Sequence, residues 1–141
     1  GLDHLGIQVE NREELAEALR LLKGARRPLI VAGGGALFSD ADETLRLFAE
    51  KHGVPVAETQ AGKGIMPVGH PMALGAIGVT GTSAANACAV EADVVLAVGT
   101  RLQDFTTGSW TLFAAPERRL IGLNLQPFDA GKHRAQPLVA D

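Results

Sequence analysis

The chain has 141 residues, a net charge of -3 and 46% hydrophobic residues. That length suits one domain with a core of its own. Cys88 is the single cysteine, which excludes an internal disulfide. No block of basic residues argues for nucleic-acid binding, and no apolar run reaches the ~20 residues of a membrane span.

Residues 1–10 show no period and read as a lead-in segment. Asn11 and Glu14 form a capping box, and Leu15, Leu19 and Leu22 mark one buried helical face ended by Gly24. "PLIVAG" (28–33) reads as a buried strand. Ser39 is the expected cap of the next helix, with Leu45, Phe48 and Ala49 inward and Gly53 as terminator. "VPVAET" (54–59) is the second strand. Residues 60–80 are rich in glycine and proline and read as loop, "LGAIGVT" included. Thr82 or Ser83 caps a helix to about Val90, whose alanines let it lie close to a sheet. "DVVLAVG" (93–99), "RRLIGLN" (118–124) and "PLVA" (137–140) complete five strands. The strands lack polar–apolar alternation, as strands covered on both faces do. The expected fold is α/β, doubly wound, with a mostly parallel sheet between helix layers. The chain opens on Gly1 and stops at Asp141, so one domain cut from a longer polypeptide is expected.

Ligands in such sheets bind at the carboxyl ends of the strands. Those ends carry Gly33, Gly34 and Gly35, then Thr59 to Lys63, then Gly99, Thr100 and Arg101, then Asn124 to Gln126. Gly78 and Thr80 reach the same edge. The triple glycine reads equally as a pyrophosphate cradle or a tight turn. A third glycine of a dinucleotide motif would stand at 38, where Phe38 is. "GKG" at 62–64 is no P-loop, because Gly64 follows the lysine and Ala57 stands where a glycine belongs. Lys63 is therefore read as solvated. Arg101 suits an anion or an ion pair with Asp104, and Trp110 is read as packing. His4, His52, His70 and His133 make no close cluster, so no metal site is expected. Cys88 is read as buried and inert. "GTSAA" (81–85) suggests a nucleophile elbow at Ser83, with Asp129 and His133 in triad order; a helix cap explains the same letters more simply.

Together, "VAGGG", "GVTGTSAAN", "GTRLQDFTTG" and "GLNLQPFDAGKH" resemble the central domain of thiamine-diphosphate-dependent enzymes of the acetolactate synthase type, from about residue 11 to 141. The uninterrupted stretch "GAIGVTGTSAANA…EADVVLAVGTRLQDFTTGSW" is most similar to a branch that opens trihydroxycyclohexane-1,2-dione to 5-deoxyglucuronate in inositol catabolism. The resemblance implies a Rossmann-like middle domain, thiamine diphosphate and magnesium in the parent enzyme, and a cytoplasmic homodimer or homotetramer. It also implies N- and C-terminal thiamine domains as the partners of this one. The family's Gly-Asp-Gly…Asn-Asn motif does not occur here. No residue of this chain is therefore expected to be catalytic. Some relatives bind flavin adenine dinucleotide (FAD) or an adenine nucleotide in this domain. Gly33, Gly34, Gly35, Gly78, Gly99 and Arg101 match their nucleotide-lining places. Thr80, Gln103, Phe105, Asn124 and Gln126 depart from the pattern and replace a histidine, three aspartates and an arginine. Charge-assisted hydrogen bonds are each worth roughly 1.5–3 kcal/mol, so a vestigial cleft that holds flavin weakly or not at all is expected. It is lined by Gly33, Gly34, Gly35, Gly78, Thr80, Gly99, Thr100, Arg101 and Asn124. The alternatives are a nucleotide-binding module and a serine hydrolase acting through Ser83 and His133.

Overall fold

A computed structural model describes residues 12–100, 112, 117–124 and 136–139. Helix α1 spans Arg12–Lys23. Its acidic first turn (Glu13, Glu14) and basic last turn (Arg20, Lys23) complement the helix dipole. Leu15, Leu19 and Leu22 face the core, as their spacing predicts. Gly24 follows the last turn, and its N–H donates to Arg20 O at 3.2 Å. The predicted cap Asn11 and the lead-in 1–10 lie outside the described residues.

Six strands follow: β1 (Pro28–Ala32), β2 (Val56–Glu58), β3 (Ala73–Ala76), β4 (Val94–Val98), β5 (Arg119–Asn124) and β6 (Gln136–Val139). They form one sheet in the order β3-β2-β1-β4-β5-β6. Every pairing is parallel. Ile30 stands opposite Val56 on one side and Leu96 on the other, so β1 and β4 form the middle of the sheet.

Alternate side chains of each strand serve opposite faces. Ile30, Val56, Leu96, Val98 and Ile121 pack with Ala18 of α1 and with Leu45, Phe48 and Ala49 of α3 (Asp42–His52). Leu29, Val31, Val95 and Ala97 pack with Ala85 and Ala89 of α4 (Ser83–Glu91). Small residues on α4 let its backbone approach the sheet. The apolar, unalternating strands thus follow from helices on both faces. Cys88, expected to be buried, is half-buried at the edge of this second layer.

Three elements depart from expectation. Residues Gly34–Phe38 form one short helix, α2, rather than a turn alone. Ser39 does not cap α3; it closes α2, its N–H donating to Gly35 O at 3.1 Å. Ala41 takes the N-cap position of α3 without a side-chain bond. Between them Asp40 turns the chain at φ 53°. The third departure is β3, a strand within the stretch read as loop, which makes the sheet six-stranded. Its sequence "ALGA" hides it, because it sits at the border of the sheet and is only partly buried.

Thr82 caps α4: its Oγ1 accepts from Ala85 N–H at 3.0 Å and donates to Leu74 O of β3 at 2.8 Å. One hydroxyl therefore fixes the helix start to the border strand. Thr82→Ala is expected to cost about 1–2 kcal/mol and Thr82→Ser a few tenths, read from urea unfolding midpoints.

Asp93 joins the turn after α1 to the start of β4. Its carboxylate accepts from Arg26 N–H at 2.7 Å and Arg27 N–H at 2.8 Å. Burial works to raise its pKa, but the amides of Arg26, Arg27, Asp93 and Val94 outweigh that and hold it below the ordinary value. A lowered carboxylate contributes stability above its unfolded pKa of about 3.9 and loses it as pH falls through the folded value. Asp93→Asn should therefore cost about 1 kcal/mol at neutral pH, solvent keeping the effect small. The gap between the two proteins should close below roughly pH 4, read as thermal midpoints across a pH series.

Candidate functional site

Strand order reverses between β1 and β4, which makes their carboxyl ends the expected ligand crevice. Gly33, Gly34 and Gly35 leave β1 there, and Gly99 and Thr100 leave β4. The two segments lie against each other. Gly33 N–H donates to Val98 O at 2.8 Å and Gly35 N–H donates to Gly99 O at 3.0 Å. A Cβ on Gly33 would stand 2.5 Å from Gly99 O, and one on Gly99 would stand 2.5 Å from Ala36 N. A Cβ on Gly34 would meet the Ala61 side chain at 3.0 Å. The missing side chains here permit backbone to touch backbone. The Gly35 amide is already bonded to protein.

Gly78 has φ 110° and is gripped at both polar atoms by one side chain. Its N–H donates to Asn86 Oδ1 at 3.0 Å, and Asn86 Nδ2 donates to Gly78 O at 2.9 Å. That amide fixes the loop before α4, and Thr80 stands exposed on it. Thr100 is half-buried, and Asn124 ends β5 in register with Val139. Arg101, Gln103, Asp104, Phe105, Trp110, Gln126, Asp129 and His133 lie outside the described residues. Ser83 is the exposed first residue of α4, one after the Thr82 cap and seven after the end of β3. A nucleophile elbow would place it on a sharp strand-to-helix turn instead.

A cleft of about 740 Å³ opens at the carboxyl ends of β2 and β3, lined by Glu58, Thr59, Met66, Pro67, Leu74 and Thr80 among others. That volume suits a small ligand. Glu58 is 8% exposed and belongs to the apolar strand β2. Its carboxylate accepts from Gly64 N–H at 2.8 Å and Met66 N–H at 3.2 Å. It folds the following loop back over the end of its own strand. Thr59 Oγ1 adds a bond from Gly62 N–H at 3.1 Å. Lys63 is exposed, as expected. Glu58 went unnoticed in the sequence because it reads there only as the end of "VPVAE". The usable signal was an acid closing an apolar strand before a glycine-rich loop whose amides need acceptors.

Among the described residues no group of three or more His, Cys, Asp or Glu could hold a metal ion. Nor does any of their helices have the length and apolarity to cross a membrane. The donors that thiamine diphosphate and its metal would need do not assemble on the described residues.

A family model for the thiamine pyrophosphate enzyme central domain matches residues 15–141. The chain belongs to this family. Among curated relatives, the 3D-(3,5/4)-trihydroxycyclohexane-1,2-dione hydrolase of Clostridium perfringens is 45% identical over 92% of this chain and 20% of its own length. The protein of that name from Geobacillus thermodenitrificans is 46% identical over 92% of the chain and 20% of its own. One from Bacillus cereus is 42% identical over 95% and 21%. The chain spans about a fifth of the length of these relatives. The six-stranded parallel sheet with helices on both faces is the fold of a thiamine pyrophosphate enzyme central domain in this chain. In such an enzyme the domain is one part among several.

Proposed function

We propose that this chain is the noncatalytic middle domain of a thiamine-diphosphate-dependent hydrolase that opens trihydroxycyclohexane-1,2-dione to 5-deoxyglucuronate by cleaving a carbon–carbon bond. The observation that carries the reading is the 45% identity across 92% of the chain to relatives named for hydrolysis of that dione. On this reading residues 1–141 are one domain of a longer polypeptide, with 1–10 as its lead-in. Thiamine diphosphate and magnesium bind in the flanking N- and C-terminal domains. The domain braces those two and contributes to the contacts of a cytoplasmic dimer or tetramer. The clefts at its carboxyl edge are inherited from nucleotide-binding ancestors. Closure of the Gly33–Gly35 segment onto Gly99 supports that reading, since the Gly33 and Gly35 amides are already bonded to protein.

The test is an assay of the full-length protein that carries this chain, supplied with thiamine diphosphate and magnesium. Consumption of the dione with formation of the ring-opened acid is expected. No turnover, or turnover confined to acetolactate formation, overturns the assignment.

A second reading, a flavin- or nucleotide-binding module, draws on the 740 Å³ cleft. Titration of the purified chain with FAD and adenine nucleotides separates the two. Micromolar affinity favours this second reading, and absence of binding favours the first.

A further inference from the structure

His70 connects two elements through four polar atoms. Its ring Nε2 meets Glu50 Oε1 of α3 at 2.7 Å. Met72 N–H donates to its Nδ1 at 3.0 Å. Its own N–H donates to Pro67 O at 3.1 Å, and its carbonyl accepts from Ala73 N–H at 3.0 Å. The first of these backbone bonds closes a turn over Pro67, Val68, Gly69 and His70, with Gly69 at φ 83°. Pro67, Val68 and Gly69 line the cleft beside Glu58, and Val68 is fully exposed there. The second leads directly into β3. Met72 O in turn accepts from Val56 N–H of β2 at 2.8 Å.

An amide N–H only donates, so Nδ1 holds a lone pair. A neutral imidazole has a single N–H, and the network places it on Nε2, donated to Glu50. The groups facing the ring are the Glu50 carboxylate and, behind it, the Arg46 guanidinium of α3, which contacts the same Oε1 at 3.1 Å. From the loop side the Met72 amide faces it. The hydrogen bond from His70, with help from Arg46 and against slight desolvation, holds the Glu50 carboxyl below its ordinary range. Glu50 thus stays ionised where a histidine titrates. It accepts from a neutral imidazole and, more strongly, from an imidazolium. Only the Nδ1 end changes its role: once protonated it presents N–H against N–H.

We infer that His70 is a proton-operated latch on the rim of the cleft. Uptake of a proton at Nδ1 severs the Met72 bond, keeps the Glu50 contact, and loosens the entry into β3 at Met72 while α3 stays in place. The device is independent of the reaction proposed for the full-length enzyme.

The test is a pH series from about 8 to about 5 on this chain, followed by amide and histidine-ring NMR signals. The Met72 amide signal is expected to move with the His70 ring titration. Its hydrogen exchange, corrected for intrinsic pH dependence, should rise roughly five- to tenfold, the factor for one ordinary hydrogen bond. Residue-resolved signals separate His70 from His4, His52 and His133. His70→Asn offers an oxygen acceptor to Met72 without a titrating proton, and should flatten the response. A Met72 signal indifferent to the His70 titration, or the same pH response in His70→Asn, overturns the latch. So does a ring that stays neutral down to the pH at which the fold is lost. If His70→Asn fails to fold, the titration of the unsubstituted chain decides alone.

Discussion

Gly99→Ala is expected to destabilise the domain by about 3 kcal/mol or more, the sum of a left-handed backbone penalty and an overpacked contact. Gly99 lies at φ 62°, and an added Cβ would fall 2.5 Å from Ala36 N and 2.7 Å from Gly35 Cα. Neither neighbour is a flexible side chain that can turn away. Both belong to the segment that leaves β1, whose Gly35 amide is bonded to Gly99 O at 3.0 Å. Relief therefore requires β1 and β4 to part at the middle of the sheet. Gly53 provides the control. It has φ 64° at the end of α3, yet a Cβ there meets nothing within 4 Å. Gly53→Ala should cost only about 1 kcal/mol. Thermal unfolding of the two variants measures the difference, expected at about 5–10 °C. Equal losses would mean that backbone conformation alone, and not the close approach of the two segments, accounts for Gly99.

Glu58→Ala is the second large effect, about 3 kcal/mol. The substitution removes the acceptor of two amides, Gly64 N–H and Met66 N–H, each bonded to a carboxylate worth roughly 1.5–3 kcal/mol. Met66 and Ile65 are buried against the core, so the loop cannot swing out without exposing them. Glu58→Gln keeps one acceptor and turns an N–H toward the other amide, so its cost should lie between. Denaturant unfolding gives the energies. Hydrogen exchange at Gly64 and Met66 shows whether the loop loosens first. A loss below about 1 kcal/mol with unchanged exchange at Gly64 would show that the carboxylate is not what holds the loop.

The central strands were legible because burial on both faces leaves a purely apolar run, as in "PLIVA" and "VVLAV". Helix α1 was legible from its leucine spacing, α3 from the inward set Leu45, Phe48 and Ala49, and α4 from a cap at Thr82 or Ser83. What escaped is what depends on distant neighbours. β3 is four residues with a glycine among them, and only its pairing with β2 makes it a strand. Adjacent glycines read equally as a pyrophosphate cradle or a turn, yet the bond from Ala36 N–H to Gly33 O and contact with Gly99 accompany a short helix, α2. Ser39 looked like a cap because a side chain was sought where the backbone of Ala41 suffices. At the edge, the need for glycine at 33, 35 and 99 was visible, but what lies against them was not. The match of "GVTGTSAAN" singled out Gly78; that Asn86 is the group holding it required three dimensions. Glu58 and His70 went unread as partners because the amides each accepts from, at Gly64, Met66 and Met72, are not singled out by residue type.

Asp93 fastens the amides of Arg26 and Arg27 across separations of 67 and 66 residues, beside the parallel pairing of β1 with β4. The middle of this sheet is thus its least local part. The ribosome must deliver β4 before the two central strands can pair with each other. Until then the side of β1 that β4 will cover stays an apolar edge with unsatisfied backbone groups. Such a topology folds slowly, and its nascent chain is the form most in need of a chaperone.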